Sequence, residues 1–259
     1  VVIRRPVHEE GISLEEAKRQ MDAYRTARPP ENSVTDGTGK RFLSMIGMGM
    51  GGGRQLTLEA LEVLERSDIV FGASRMLADL APWLHEKHQE TYYQPEKILD
   101  WLEEHKTCQQ AVVVCSGDTG FYSGSGSMMR ELKARFGEVE SSPYEVTVFP
   151  GISSVSALAA RFGISWDDAC LASAHGRDCD AAALLKEHEK VFLLLDSSMN
   201  LRQICQILKD ADMGNTRIYA GVRMGYEDER KTYGTAEEMT DIETNSLTAV
   251  FLEREKDER

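Results

Sequence analysis

Apolar runs of four or five residues that break into glycine- or serine-rich turns, each followed by a helical stripe, recur along most of this chain. Phe42-Leu43-Ser44-Met45 runs into Ile46-Gly47-Met48-Gly49-Met50-Gly51-Gly52-Gly53. Ala111-Val112-Val113-Val114-Cys115 runs into Ser116-Gly117-Asp118-Thr119-Gly120-Phe121-Tyr122, and Val146-Thr147-Val148-Phe149 into Pro150-Gly151-Ile152-Ser153-Ser154. The near-continuous apolarity of Ala111–Cys115 is that of a parallel strand covered on both faces. After the first turn, Leu58, Leu61 and Leu64, with Ala60 and Val63 alongside, form a helical stripe behind Thr57 as N-cap. The pattern then predicts a strand at Ile69–Phe71, a helix over Pro95–His105 with Ile98, Leu99 and Leu102 inward, and a helix over Ser127–Phe136 closed by Gly137.

The later half continues in the same rhythm. A helix is expected from Ser154 to Phe162, ended by Gly163, with strands at Val191–Leu195, Arg217–Val222 and Leu247–Leu252. Helices are expected at Ala181–Glu187, Leu201–Lys209 and Ala236–Thr240, the last opened by a Thr235…Glu238 capping box. Strands alternating with helices define the α/β class. The expected organisation is two α/β domains, residues 41–150 and 151–259, with a ligand cleft between them. Residues 1–40 read differently: Ser13-Leu14-Glu15-Glu16 caps a helix to about Thr26, Pro29-Pro30 stops it, and a polar linker follows. They are taken as an N-terminal extension of unknown role.

Composition narrows the classes. The 259 residues carry 30 Lys and Arg against 43 Asp and Glu, a formal charge of -13, which opposes a general nucleic-acid surface. Hydrophobic residues make up 41% and mean hydropathy is -0.38, and no apolar run has the length of a membrane span. Neither a membrane nor a nucleic-acid partner is expected. The N-terminus lacks a signal-peptide core, so a cytoplasmic location is expected. Cys108, Cys115, Cys170, Cys179 and Cys205 form no C-x-x-C pair and read as free thiols. His85 and His88 read as a solvated helix face, and no metal site is expected.

The three turns carry the chemistry. Ligands of α/β sheets bind outside the carboxyl ends of the strands, so these turns on one rim would form a small-molecule pocket of backbone N–H groups and hydroxyls. Gly47-Met48-Gly49-Met50-Gly51-Gly52 matches G-x-G-x-x-G, but the dinucleotide fingerprint also needs an acidic residue ending the second strand. Here Asp68 begins that strand and Gly72-Ala73-Ser74 ends it, so a nicotinamide dinucleotide does not fit. Asp118 either closes its own turn or holds a polar or cationic ligand. Ser153 and Ser154 open a helix, a place for a carboxylate or ribose or simply a cap. Ser173-Ala174-His175-Gly176-Arg177-Asp178 gathers His, Arg and Asp in one segment.

Taken together, these turns resemble the tetrapyrrole methylase family, whose pattern is G-x-G-P-G, then G-D-P-x-x-Y/F-G, then P-G-I-S/T-S/A. Ser173–Arg177, Asp196 and Met224-Gly225-Tyr226-Glu227-Asp228-Glu229-Arg230 resemble the branch that methylates carbon 5 of cobalt-precorrin-7 in cobalamin biosynthesis. The likeness runs from Arg41 to Arg254; Met50 and Thr119 stand where the family has prolines. It implies an S-adenosylmethionine-dependent methyltransferase that releases S-adenosylhomocysteine. It carries cofactor contacts onto Met50, Ser116, Gly117, Asp118, Phe121, Ser153, Ser154, Leu195 and Gly225. The implied tetrapyrrole substrate bears acetate and propionate groups, for which Arg54, Arg177 and Arg223 are the candidate partners, with Arg75 and Arg130 also considered. His175 is the candidate base, its unperturbed pKa lying near operating pH. A homodimer is implied, and with no second methyltransferase domain following, a separate decarboxylating carbon-15 methyltransferase is expected. The alternatives are a uroporphyrinogen or diphthine methyltransferase on the same scaffold, or a non-catalytic nucleotide-binding scaffold protein.

Overall fold

The computed structural model describes residues 39–51, 53–174 and 179–254. Arg41–Arg259 form one compact unit. The helix expected before Pro29, His175 and Arg177 lie outside the described residues.

The first half builds β1 (Arg41–Gly47), α1 (Leu58–Arg66), β2 (Ile69–Phe71), α2 (Ser74–Asp79), β3 (His88–Glu90), α3 (Pro95–Glu104), β4 (Gln110–Cys115), α4 (Ser125–Phe136) and β5 (Tyr144–Phe149). The strands form a sheet in the order β3-β2-β4-β1-β5, every pair parallel. Both faces are covered, which is why its central strands lack polar alternation. Leu43, Met45, Ala111 and Val113 pack with Ile98, Leu99, Leu102, Met128 and Leu132 of α3 and α4. Ile46, Val112 and Val114 pack on the other face with Ala60 and Leu64 of α1 and Met76 and Leu77 of α2.

The second half builds α5 (Ser154–Phe162), β6 (Cys170–Ser173), α6 (Ala181–Glu187), β7 (Lys190–Leu195), α7 (Leu201–Asp210), β8 (Arg217–Val222), β9 (Arg230–Thr235) and β10 (Thr248–Glu253). Its sheet runs β6-β7-β10-β8-β9, parallel only between β6 and β7. Val191, Leu193, Leu195, Val250 and Leu252 face α6 and α7, while Phe192, Ala249 and Phe251 face α5. Asn200 and Gln203 close a reciprocal capping box on α7.

The expected caps form as read: Thr57 accepts from Ala60 N at 3.1 Å, and Gly137 and Gly163 end their helices with φ of 85° and 65°. Two expectations are corrected. Ala236–Thr240 is a single turn: the capping-box bonds exist, Glu238 Oε2 accepting from Thr235 N at 2.8 Å and Thr235 Oγ1 from Glu238 N at 3.3 Å, but the helix does not propagate. One closed turn provides too few bonds to offset the ordering of the next. His88 lies on an edge strand, not a helix face, and His85 in a turn; the His88 ring meets Trp101 edge-on at 5.4 Å. Strands β6 and β9 and helix α2 had no clear apolar period. Edge strands with exposed side chains show little of the pattern that marks a core strand.

Candidate functional site

Strand order creates the site. Because β4, β1 and β5 are neighbours and parallel, their carboxyl ends lie side by side, Gly47 opposite Cys115 and Ile46 opposite Phe149. The three turns that follow them therefore emerge on one rim, as crevice geometry in such sheets requires.

Backbone contacts lock the turns together. Gly49 N donates to Gly117 O at 3.1 Å and Gly117 N to Gly49 O at 3.0 Å, an antiparallel bridge between the first and second turns. Gly151 packs backbone to backbone on both: a Cβ there would stand 2.7 Å from Gly47 C and would collide with Gly117 O. Asp118 does the remaining tying. Its Oδ1 accepts from Gly120 N at 2.8 Å, closing its own turn, and its Oδ2 accepts from Gly151 N at 2.9 Å, holding the third turn. Thr119 Oγ1 donates to Phe149 O at 3.2 Å, a second link to the same strand end. Ser153 is the N-cap of α5, accepting from Ser156 N at 3.3 Å, and Ser154 follows it, buried.

The second sheet supplies the opposite wall. Leu195 at the end of β7 and Val222 at the end of β8 both pair with Thr248, so three strand ends face the turns. The segment after β8 folds over the first turn. Gly225, at φ 86°, lies against the Met50 carbonyl, where any side chain would put its Cβ 2.6 Å from Met50 C. Glu229 Oε2 accepts from Gly225 N and from Arg161 Nη2, each at 2.7 Å, and a second Arg161 bond comes from Nε. Arg161 holds the Glu229 carboxyl below the usual range against the opposing pull of burial.

Between these walls lies a cavity of about 740 Å³, within the size range of small-molecule and cofactor pockets. All of the expected cofactor positions line it except Ser153 and Gly225. Ser153 is engaged in capping, and Gly225 shapes the wall through Met50. Arg223 lines the cavity, as do Arg75 and Arg130; Arg54 is exposed and away from its wall. The Asp118 carboxylate is occupied by two backbone amides, so its turn-closing role is realised. Cys115, on the wall, has its thiol pushed up to about 11 by burial, so it stays neutral and non-nucleophilic at neutral pH. Among the described residues, no cluster of three or more His, Cys, Asp and Glu is placed to hold a metal, and no helix is long and apolar enough to cross a membrane.

Tyr226 stands in the turn after β8, within Met224–Arg230, and the residue pattern alone implies no role for it. It lines the cavity and donates to Asp79 Oδ2 at 2.6 Å, while Arg75 donates to its hydroxyl. Burial and the Asp79 bond push its phenol above the ordinary range. The only sequence hint was its place directly after a glycine in a charged turn. Tyr122 and Arg223, two non-glycine residues at positive φ (49° and 52°), both line the cavity, and backbone strain of this kind gathers at functional sites.

A family model described as Tetrapyrrole (Corrin/Porphyrin) Methylases matches residues 43–240. A cobalt-precorrin-7 C(5)-methyltransferase of Salmonella typhimurium is 32% identical over 189 residues, covering 73% of this chain and 88% of that protein. Among solved structures, a precorrin-6Y methylase from Archaeoglobus fulgidus aligns with a TM-score of 0.61 at 23% identity, over 83% of this chain and 99% of that one. A uroporphyrin-III C-methyltransferase from Thermus thermophilus, complexed with S-adenosyl homocysteine, aligns with a TM-score of 0.64 at 20% identity, over 82% and 97%. At these identities the structural likenesses carry the fold alone.

Proposed function

The chain belongs to the tetrapyrrole (corrin/porphyrin) methylase family, and from that premise we propose that it methylates carbon 5 of cobalt-precorrin-7 in cobalamin biosynthesis, with S-adenosylmethionine as donor. The observation that carries this reading is the meeting of all three family turns on one cavity, in a chain 32% identical to a relative bearing that activity. The alternative substrates and the non-catalytic scaffold have no comparable support.

The residues present fit the donor. Glycine backbones leave room on one wall, the Ser116 and Ser154 hydroxyls and turn amides offer polar contacts, and Met50, Phe121 and Leu195 offer an apolar surface. The bound donor supplies a sulfonium methyl for direct displacement by a ring carbon. The chain's task is to hold two reactants in line and keep water out, for which alignment contributes on the order of 7–11 kcal/mol. Asp118 orients the second and third turns, and Gly225 and Met50 fix the first. Arg177 and His175 remain proposed for substrate binding and proton acceptance. Cation-bearing residues at the wall, Arg223 among them, meet a substrate rich in carboxylates.

The same reading includes a cytoplasmic homodimer acting beside a separate decarboxylating carbon-15 methyltransferase. Support for self-association comes from the edge strands of the two sheets, where Val148 on β5 and Leu171 on β6 are exposed, with Ile152 exposed just after β5 and Tyr122 exposed beside Leu171. The decisive experiment is transfer of a labelled methyl from S-adenosylmethionine to cobalt-precorrin-7, with the position located by NMR. Methylation at carbon 5 is expected. Binding of S-adenosylhomocysteine without turnover on this substrate, but with turnover on uroporphyrinogen III or diphthine precursors, would replace the substrate assignment.

A further inference from the structure

Tyr226 touches several parts of the site at once. Its ring covers Gly51 of the first turn, where a Cβ would stand 2.5 Å from the ring carbons Cε2 and Cζ. Its hydroxyl is held between Arg75, the second residue of α2, and Asp79, its last, in the first half. The Arg223 guanidinium carbon lies 4.5 Å from the ring centroid and that of Arg75 5.9 Å, both within cation–π range. One aromatic side chain thus sets two guanidinium groups, from opposite halves of the chain, on the wall of one cavity.

Neither arginine is used up by its ion pair. Arg223 meets Asp228 through Nε, at 2.6 Å, which leaves its terminal nitrogens for another acceptor. Arg75 lies 3.5 Å from Asp79, whose same oxygen accepts the Tyr226 hydroxyl at 2.6 Å. The Arg223 backbone stands in the left-handed region at φ 52°, a conformation that residues with a side chain rarely adopt. The surrounding turn holds it there: Arg223 N donates to Leu247 O at 2.8 Å and Tyr226 N to Arg223 O at 3.1 Å. In a chain of net charge -13, a cavity wall bearing two partly committed guanidiniums is a place suited to a carboxylate.

We propose that Tyr226 is a positioning residue which sets Arg75 and Arg223 as a paired clamp for two carboxylate arms of the macrocyclic substrate. Because the same ring rests on the first glycine turn, it also fixes the distance between the clamp and the methyl donor. This rests on the corrinoid-methylation reading above. The clamp takes carboxylates as bidentate, charge-assisted acceptors, and its geometry depends on the Tyr226 hydroxyl keeping Arg75 and Asp79 in place.

Tyr226→Phe keeps the ring over Gly51 and removes only the hydroxyl. It is expected to raise the KM for cobalt-precorrin-7 by about 10-fold, the scale of one charge-assisted contact, while kcat and the Kd for S-adenosylhomocysteine stay within about 3-fold. Asp79→Asn, at the other end of the same bond, should give the same split, and it decides the matter if Tyr226→Phe does not fold. A parallel fluorescence titration uses uroporphyrin and its uncharged octamethyl ester as stable probes. Wild type should prefer the free acid, and Tyr226→Phe should lose most of that preference. An unchanged KM and acid preference, or a loss of S-adenosylhomocysteine binding in proportion to KM, overturns the proposal. If wild type binds S-adenosylhomocysteine but does not methylate cobalt-precorrin-7, the substrate reading fails by itself, and the titration still decides the clamp.

Discussion

The two walls of the cavity are built by different means. On one side, the turns after β1, β4 and β5 meet backbone to backbone, with Gly49 and Gly117 exchanging hydrogen bonds and Gly151 packed on Gly47 and Gly117. On the other, Arg75 of α2 meets Tyr226 and Arg223 through side chains, and the Arg161–Glu229 pair holds the turn after β8. A wall of glycine backbone has no slack, since the smallest added atom lands inside a neighbour. A wall of long polar side chains can be retuned one contact at a time. That division suits an enzyme that holds a constant donor on one side and must select a large acidic acceptor on the other.

The contrast can be broken most forcefully at Gly151. Gly151→Ala places a Cβ 2.7 Å from Gly47 C and against Gly117 O, and no side chain can rotate away because both are main chain. A loss of S-adenosylhomocysteine affinity of about 100-fold or more, near 2.7 kcal/mol, is expected by calorimetry on the folded protein. Affinity within a few-fold of wild type would mean that the third turn is free to move.

Asp118→Asn tests whether that wall needs its tether. An amide side chain can accept from only one of Gly120 N and Gly151 N and turns a donor on the other, at a cost of about 1–3 kcal/mol. Donor-product binding should weaken about 10-fold or more, with hydrogen exchange at the Gly151 amide accelerated. If Asp118 instead mainly contacted the cofactor, exchange at Gly151 would be unaltered in the apo protein.

The side-chain wall should respond to acid. Glu229 has a folded-state pKa depressed by Arg161, so its contribution is present above the unfolded glutamate pKa and fades as pH falls through the folded value. The pair is partly exposed, and Glu229→Gln should cost only on the order of 1 kcal/mol at neutral pH. Thermal melts should show the variant losing less stability than wild type as pH drops through the acidic range. Parallel curves would remove Glu229 from the account.

The smallest expected effect is at Arg54, one of the three arginines expected from the sequence to meet the substrate. Arg223 lines the cavity, whereas Arg54 is exposed and off its wall. Arg54→Ala should leave substrate KM within about 2-fold of wild type, whereas Arg223→Ala should raise it by about 10-fold or more, measured with the donor saturating.

Much of this was legible in advance because its causes are local. Thr57, Gly137 and Gly163 mark helix ends through their own backbone and side-chain chemistry, and the structure places each as read. The buried strand at Gln110–Cys115 was legible because burial on both faces leaves no polar alternation. Strand β3, by contrast, is three polar residues on an edge, and its sequence carries no period. The turn at Ala236–Thr240 shows a local signal that is real yet insufficient: its capping bonds form without a helix to cap. Asp118 shows the limit for side-chain roles, since nothing in Ser116–Gly120 reveals that one of its oxygens serves an amide at residue 151.

By itself, the sequence determined that three glycine-bearing turns end three strands, that the chain is α/β, and that its motifs are those of a methylase family, because each of these is written in contiguous residues. Tertiary structure alone decided that the turns are neighbours, that Asp118 ties two of them, and that Tyr226 joins a turn near residue 51 to arginines at 75 and 223. The physical reason is that strand order and sheet pairing set distances between residues far apart in the chain. A contact made across such a distance leaves no mark in the local pattern of either partner.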